Sequence, residues 1–172
     1  QTMENFFSGI NAGYDRLFVV GSIFGGTGAT GVPQVVNKCR FGDLAQLPIG
    51  INLVLPYFNL DKGGNTNKED STIDSDTFFS KTKAALDHYR KHINEKVQEI
   101  YYLGYDDPKT IENHDGGNAQ RNESHVVDVL AAMSVIEFAS REQEELQAQA
   151  RKSSSEPTCY IYNASESSNF SL

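Results

Sequence analysis

One stretch constrains this chain more than any other: Leu17-Phe18-Val19-Val20-Gly21-Ser22-Ile23-Phe24-Gly25-Gly26-Thr27-Gly28-Ala29-Thr30-Gly31-Val32-Pro33-Gln34-Val35-Val36. Leu17 to Val20 is a short, continuous apolar run, the pattern of a strand buried on both faces. Four glycines then fall within the seven residues Gly25 to Gly31. They read as a loop free to take backbone angles barred to other residues and clear of side chains. A helix is expected from Val32, with Pro33 in its first turn where a missing N–H costs nothing. The loop's N–H groups, the unpaired N–H groups of the helix and the positive end of its dipole converge on one spot. That is an anion site, and phosphate is the anion it suits.

A turn that merely reverses the chain is the plainer reading, but a buried strand before the glycines and a helix start behind them favour phosphate. No lysine follows the glycines, so the stretch is not the P-loop pattern of phosphate-binding NTPases. The first strand–glycine–helix unit of a dinucleotide-binding fold is the nearest general alternative.

The remaining pattern alternates helix and strand. Glu4 to Ala12 has Phe6, Phe7 and Ile10 at helical spacing, with Gly13 as a C-cap. The helix from Val32 runs to about Arg40, and a second strand spans Ile49 to Leu55 and stops at Pro56. Tyr57 to Asp61 reads as a turn leaving the sheet, and the polar stretch from Lys62 to Asp76 as a long surface loop. A helix capped by Asp76 or Ser80 runs to about Lys96, followed by a third strand, Glu99 to Leu103. After a polar loop, Gly104 to Arg121, one long helix is expected from Asn122 to about Ala150. Its core-facing stripe reads Val126, Val129, Leu130, Met133 and Ile136, widened by Val127 and Phe138. Cys159 to Tyr162 is a possible last strand.

This order predicts an α/β fold with a parallel sheet and helices on both faces. Residues 1–150 form the nucleotide-binding domain in this reading, and 151–172 a linker with an extra strand or a frayed tail. Ligands of such sheets bind beyond the carboxyl ends of the strands. The glycine loop, the Tyr57–Asp61 turn and the Gly104–Arg121 loop all leave from those ends.

Charge and cysteine usage narrow the partners. A net charge of −8 argues against a nucleic-acid backbone but leaves room for a nucleotide, which needs one local positive site. No apolar run reaches the roughly 20 residues of a membrane helix, and Gln1 to Asn5 lacks the basic region of a signal peptide. The chain opens on Gln1 without an initiator methionine, as a piece of a longer protein would. Cys39 and Cys159 have no metal-ligand spacing and read as free, buried thiols of a reducing, cytoplasmic compartment. Without a secretion signal, the N-x-S triplets at Asn122, Asn163 and Asn169 read as chance.

With these residues in view, the chain resembles the tubulin/FtsZ superfamily. That family's signature is G-G-G-T-G-[ST]-G followed by small residues, a proline and an apolar helix. Phe24-Gly25-Gly26-Thr27-Gly28-Ala29-Thr30-Gly31-Val32-Pro33 is similar to it, with Phe24 for the first glycine and one extra residue between Gly28 and Gly31. Ile49 to Asp61 resembles the next family strand with one insertion, and Asp128-Val129-Leu130 matches the family's D-V-L. The likeness covers about residues 5–140 and is most specific at the glycines.

The resemblance implies a guanine-nucleotide fold whose relatives hydrolyse GTP and assemble head to tail. By position, Gly25, Gly26, Thr27 and Gly28, joined by Ala29, Thr30 and Gly31, would hold the terminal phosphates of GTP or another NTP, with Mg²⁺ carried by the phosphates. Asp61 would contact the ribose, and Asp128 would accept from the two guanine N–H donors. Several family features are missing. Gly104-Tyr105 stands where the family has an asparagine, and Glu123 is close to the place of the base-stacking aromatic. The earlier glycine loops have no counterpart, and Glu156 alone stands where hydrolytic acids are expected. Hydrolysis would therefore need carboxylates from a partner subunit, and a non-catalytic assembly module or a dinucleotide binder stays open beside GTP binding.

Asn122, His125 and Asp128 recur every three residues at the start of the long helix. They read equally as a pocket edge or as an N-cap with its first-turn neighbours. His88 and His92, at i,i+4, have the neighbours of an exposed helix face and no H-E-x-x-H motif. No Ser-His-Asp or Cys-His set can be assembled.

Overall fold

The computed structural model describes residues 2–61, 75–112, 123–152 and 156–164. Four strands form one all-parallel sheet: β1 (Leu17–Ser22), β2 (Ile49–Val54), β4 (Glu99–Tyr105) and β6 (Thr158–Ala164), in that spatial order. The fold is α/β, with the parallel sheet and flanking helices expected from the alternating pattern. Leu17 stands opposite Ile49, Ile51 opposite Ile100, and Ile100 opposite Cys159. Two short strands form a second parallel pair beyond the carboxyl ends, β3 (Phe58–Leu60) with β5 (Lys109–Ile111). Phe58–Leu60 within the expected Tyr57–Asp61 turn, and Gly104, Tyr105 and Lys109–Ile111 within the expected Gly104–Arg121 loop, are therefore strand. The last strand is a full member of the main sheet, hydrogen-bonded along β4.

Five α-helices are described: α1 (Thr2–Ser8), α2 (Gly26–Lys38), α3 (Phe78–His92), α4 (Val126–Ser140) and α5 (Gln143–Ala150). Because strand side chains alternate in direction, β2 feeds two cores. Ile49, Ile51 and Leu53 pack with Val32 and Val36 of α2 and with Ala85 and Tyr89 of α3. On the other face, Phe138 of α4 and Leu146 of α5 join Tyr101, with Phe18 packed against them. Gly50 makes room there, since a Cβ on it would lie 2.7 Å from the Phe18 ring and 2.9 Å from Phe138.

The expected long helix from Asn122 to Ala150 is two helices. Arg141 and Glu142 take extended backbone between them, with ψ of 148° and 130°. At the break, Arg16 donates to the Phe138 and Arg141 carbonyls at 2.9 and 2.8 Å, and three partners hold the Arg141 guanidinium. It donates to Glu99 Oε1 at 2.9 Å, to Glu137 Oε1 at 2.8 Å and to the Tyr160 hydroxyl at 2.5 Å. Tyr101 donates to the other Glu99 oxygen at 2.5 Å, and Tyr162 to Glu137 Oε2 at 2.8 Å. One arginine thus joins α4, β4 and β6.

The stripe assigned to α4 is also corrected. Val127, Ser134 and Phe138 are buried, whereas Val129, Met133 and Ile136 are exposed. Ser134 is turned inward to meet Asn52 of β2, whose side-chain amide donates to the Ser134 hydroxyl at 2.6 Å. Of the two thiols, Cys39 is buried as expected and Cys159 is exposed. Among the described residues, no helix is long and apolar enough to cross a membrane.

Candidate functional site

The glycine stretch is helix where a loop is expected. α2 begins at Gly26, so Gly26, Thr27, Gly28, Ala29, Thr30 and Gly31 form its first turns and Gly25 is the N-cap. Left-handed backbone is not the reason for these glycines; among the described residues, the glycine with positive φ is Gly42. Gly28 answers to close approach instead. A Cβ on it would fall 2.0 Å from the Ser22 carbonyl oxygen, so only glycine lets the helix lie directly on the end of β1. Gly26 and Gly31, by contrast, have open space where a Cβ would be.

This packing fixes the start of the helix at the carboxyl edge of the sheet. The Ile23 N–H donates to the Val54 carbonyl at 3.0 Å, tying the turn to β2. The Tyr89 hydroxyl of α3 donates to the Gly28 carbonyl at 3.2 Å. The first intrahelical bond runs from the Ala29 N–H to the Gly25 carbonyl, 3.0 Å. The N–H groups of Gly26, Thr27 and Gly28 come before it and have no acceptor within the helix. No side chain among the described residues caps them, and Gly26 and Thr27 are exposed. The Thr30 hydroxyl turns back to donate to the Gly26 carbonyl at 2.8 Å.

Beside this helix start lies a cleft of about 560 Å³ between α2 and α3. Gly25, Gly26 and Thr30 line one wall, and Lys81, Ala85 and His88 the other. Lys81 is exposed and pairs with no carboxylate among the described residues. Of the residues with unpaired N–H groups, Gly26 lines the cleft, and Lys81 lines it from α3; a free N–H and a lysine ammonium both favour an anion. Nothing in the local sequence singles out Lys81, because its place on the cleft depends on the packing of α3 against α2.

From Phe24, which also lines the cleft, a run of rings links the start of α2 to the start of α4. The Phe24 ring centre lies 4.9 Å from that of Phe78 and 6.2 Å from that of Tyr57. Tyr57 lies 4.9 Å from His125, and His125 lies 4.7 Å from Tyr105. Burial, and then the charge of Asp128, push the Tyr57 hydroxyl pKa up. Asp128 therefore acts on the same ring system that begins beside the glycines.

His125 and Asp128 also form a reciprocal cap. His125 Nδ1 accepts from the Val127 N–H at 3.2 Å, and Asp128 Oδ2 accepts from the His125 N–H at 2.9 Å. The described cap is thus His125; Asn122 lies outside the described residues. Asp61 follows β3, where its N–H donates to the Ile111 carbonyl at 2.8 Å. No group of three or more His, Cys, Asp or Glu side chains suited to a metal ion stands together among the described residues.

Compared with known proteins, the chain matches no family model, no curated protein and no solved structure. A functional reading rests on the residues and their geometry.

Proposed function

We propose that this chain binds a nucleoside triphosphate in the manner of the tubulin/FtsZ superfamily, with GTP as the first choice. The observation that carries the reading is the start of α2, uncapped by any side chain among the described residues and held at the carboxyl end of β1 by Gly28, with Gly25 and Gly26 lining a cleft that Lys81 lines from α3. The N–H groups of Gly26, Thr27 and Gly28 hold the terminal phosphates, and Gly25, Ala29, Thr30 and Gly31 shape the turns that present them. The phosphates would carry Mg²⁺, and the ion would offset their charge. Asp128, beside Tyr57, is the acceptor for guanine N–H groups, and the Tyr57 ring is a surface against which a base can stack. Asp61 is the ribose contact. The setting is a cytoplasmic, self-associating protein, with any hydrolytic carboxylate supplied by a neighbouring subunit.

One observation favours binding without efficient turnover. Phe24 is buried against Phe58 and Phe78, where the family signature has its first glycine. A buried ring in place of that glycine departs from the signature at the phosphate turn, which suits a non-catalytic assembly module. Thermal unfolding with GTP, ATP, GDP and NAD, each with Mg²⁺, tests the reading. An upward shift with GTP supports it. A shift with NAD alone assigns a dinucleotide site and overturns it, as does the absence of any shift.

A further inference from the structure

Helix α4 is apolar on two sides, and only one of them meets the sheet. Its outer side presents Val129 at 57%, Met133 at 58% and Ile136 at 67% exposure, with Val135 beside them. Ala132 and Ala139 lie between these, also exposed, and are small enough for a neighbouring backbone to come close. No charged residue falls between Asp128 and Glu137. Val126, Val129, Met133, Ile136 and Ser140 repeat at alternating spacings of three and four, the seam on which a second helix packs. Charge depletion at the centre of an apolar patch distinguishes interface cores from ordinary surface.

The surroundings of the face say what covers it. Over residues 123–150 the chain carries Glu123, Asp128, Glu137, Glu142, Glu144 and Glu145, against one arginine and no lysine. That arginine, Arg141, is engaged by Glu99 and Glu137. Glu137 pairs with that arginine and Asp128 caps His125, which leaves exposed Glu123 before the apolar face in sequence and exposed Glu142, Glu144 and Glu145 after it. We propose that this face docks a basic amphipathic helix of a partner protein, its apolar stripe on Val129, Met133 and Ile136 and its lysines or arginines against the flanking carboxylates. A symmetric second copy fits less well, since it would set carboxylate ends against each other. An anionic lipid surface is disfavoured by the same carboxylates, because interfacial helices carry basic residues at their edges.

The test uses two labelled synthetic helical peptides with the same leucine stripe, one flanked by lysines and the other by glutamates, titrated with the full chain and followed by fluorescence anisotropy. The lysine peptide should bind more tightly by about tenfold or more, and its binding should weaken as salt rises. Met133→Asp should abolish it without moving the melting temperature, because Met133 is exposed; Ile136→Asp is the second variant. Equal binding of both peptides, or lysine-peptide binding that survives both variants, overturns the proposal. So does a concentration-dependent dimer of the chain alone that Met133→Asp dissolves, which would assign the face to a second copy.

Discussion

Gly28 and Ser22 stand so close that a Cβ on the glycine would lie 2.0 Å from the serine carbonyl oxygen. This contact sets helix α2 directly on the end of β1, with Gly25 and Gly26 of its start lining the cleft. Gly28→Ala must push the helix off the strand, at about 1–3 kcal/mol for an overpacked site. Gly31→Ala should do the reverse. Its Cβ meets open space within a helix, so the substitution should stabilise by about 1 kcal/mol. Urea unfolding of both variants checks the opposite signs; equal effects would mean that the four glycines serve one purpose.

The Asn52–Ser134 pair predicts a non-additive result. Asn52 is fully buried on β2, and its Oδ1 has no hydrogen-bond partner. Ser134→Ala would leave the amide N–H unpaired as well, costing about 1–3 kcal/mol. Asn52→Leu with Ser134→Ala removes both polar groups at similar volume and should recover most of that loss. A double-mutant cycle in denaturant measures the coupling.

Arg141 compensates Glu99, which is only 4% exposed. Arg141→Met leaves that carboxylate buried and unpaired, a loss of about 3–5 kcal/mol. Adding Glu99→Gln should restore part of the stability, because a neutral amide is far cheaper to bury. Denaturant midpoints of the single and double variants decide this; no recovery would contradict the assigned role of Glu99.

Alkaline pH should unfold the chain cooperatively. The hydroxyl pKa values of Tyr57, Tyr89, Tyr101, Tyr102, Tyr160 and Tyr162 are all raised, in each case first by burial. Folded tyrosines keep their protons at a pH where the unfolded chain has lost them, so stability is full below about pH 10 and falls above it, by up to about 1.4 kcal/mol per pH unit for each proton. Burial likewise raises Cys39 and Cys159, and their contribution starts to fall earlier, from about pH 9. Arg40 opposes this with one proton, since burial lowers its pKa to about 10. Tyrosinate absorbance should lag in the folded chain and then rise together with the loss of circular dichroism.

The parallel sheet was legible because apolar runs, glycine stops and Pro33 are local signals. The face of α4 was not, since a helix apolar all round has no single stripe, and the contact between Ser134 and Asn52 decides which side turns inward. The contacts that meet at the Arg141 break come from Arg16, Glu99 and Tyr160, far away in sequence. At the candidate site, the glycines were expected to form a loop, but whether they form loop or helix depends on packing against Ser22. Lys81 reaches the cleft only through the docking of α3.

Gly26→Pro probes the phosphate site most directly. Gly26 is the first residue of α2, Gly25 before it has the extended backbone that precedes proline comfortably, and a Cβ at Gly26 meets nothing within 4 Å. The variant should fold as stably as the parent while lacking one N–H. Calorimetric titration of GTP with Mg²⁺ should show binding to the parent chain and an affinity lower by about tenfold or more in the variant, the worth of one hydrogen bond to a charged group. Unchanged affinity in a folded Gly26→Pro chain, or no GTP binding by the parent, would contradict the account.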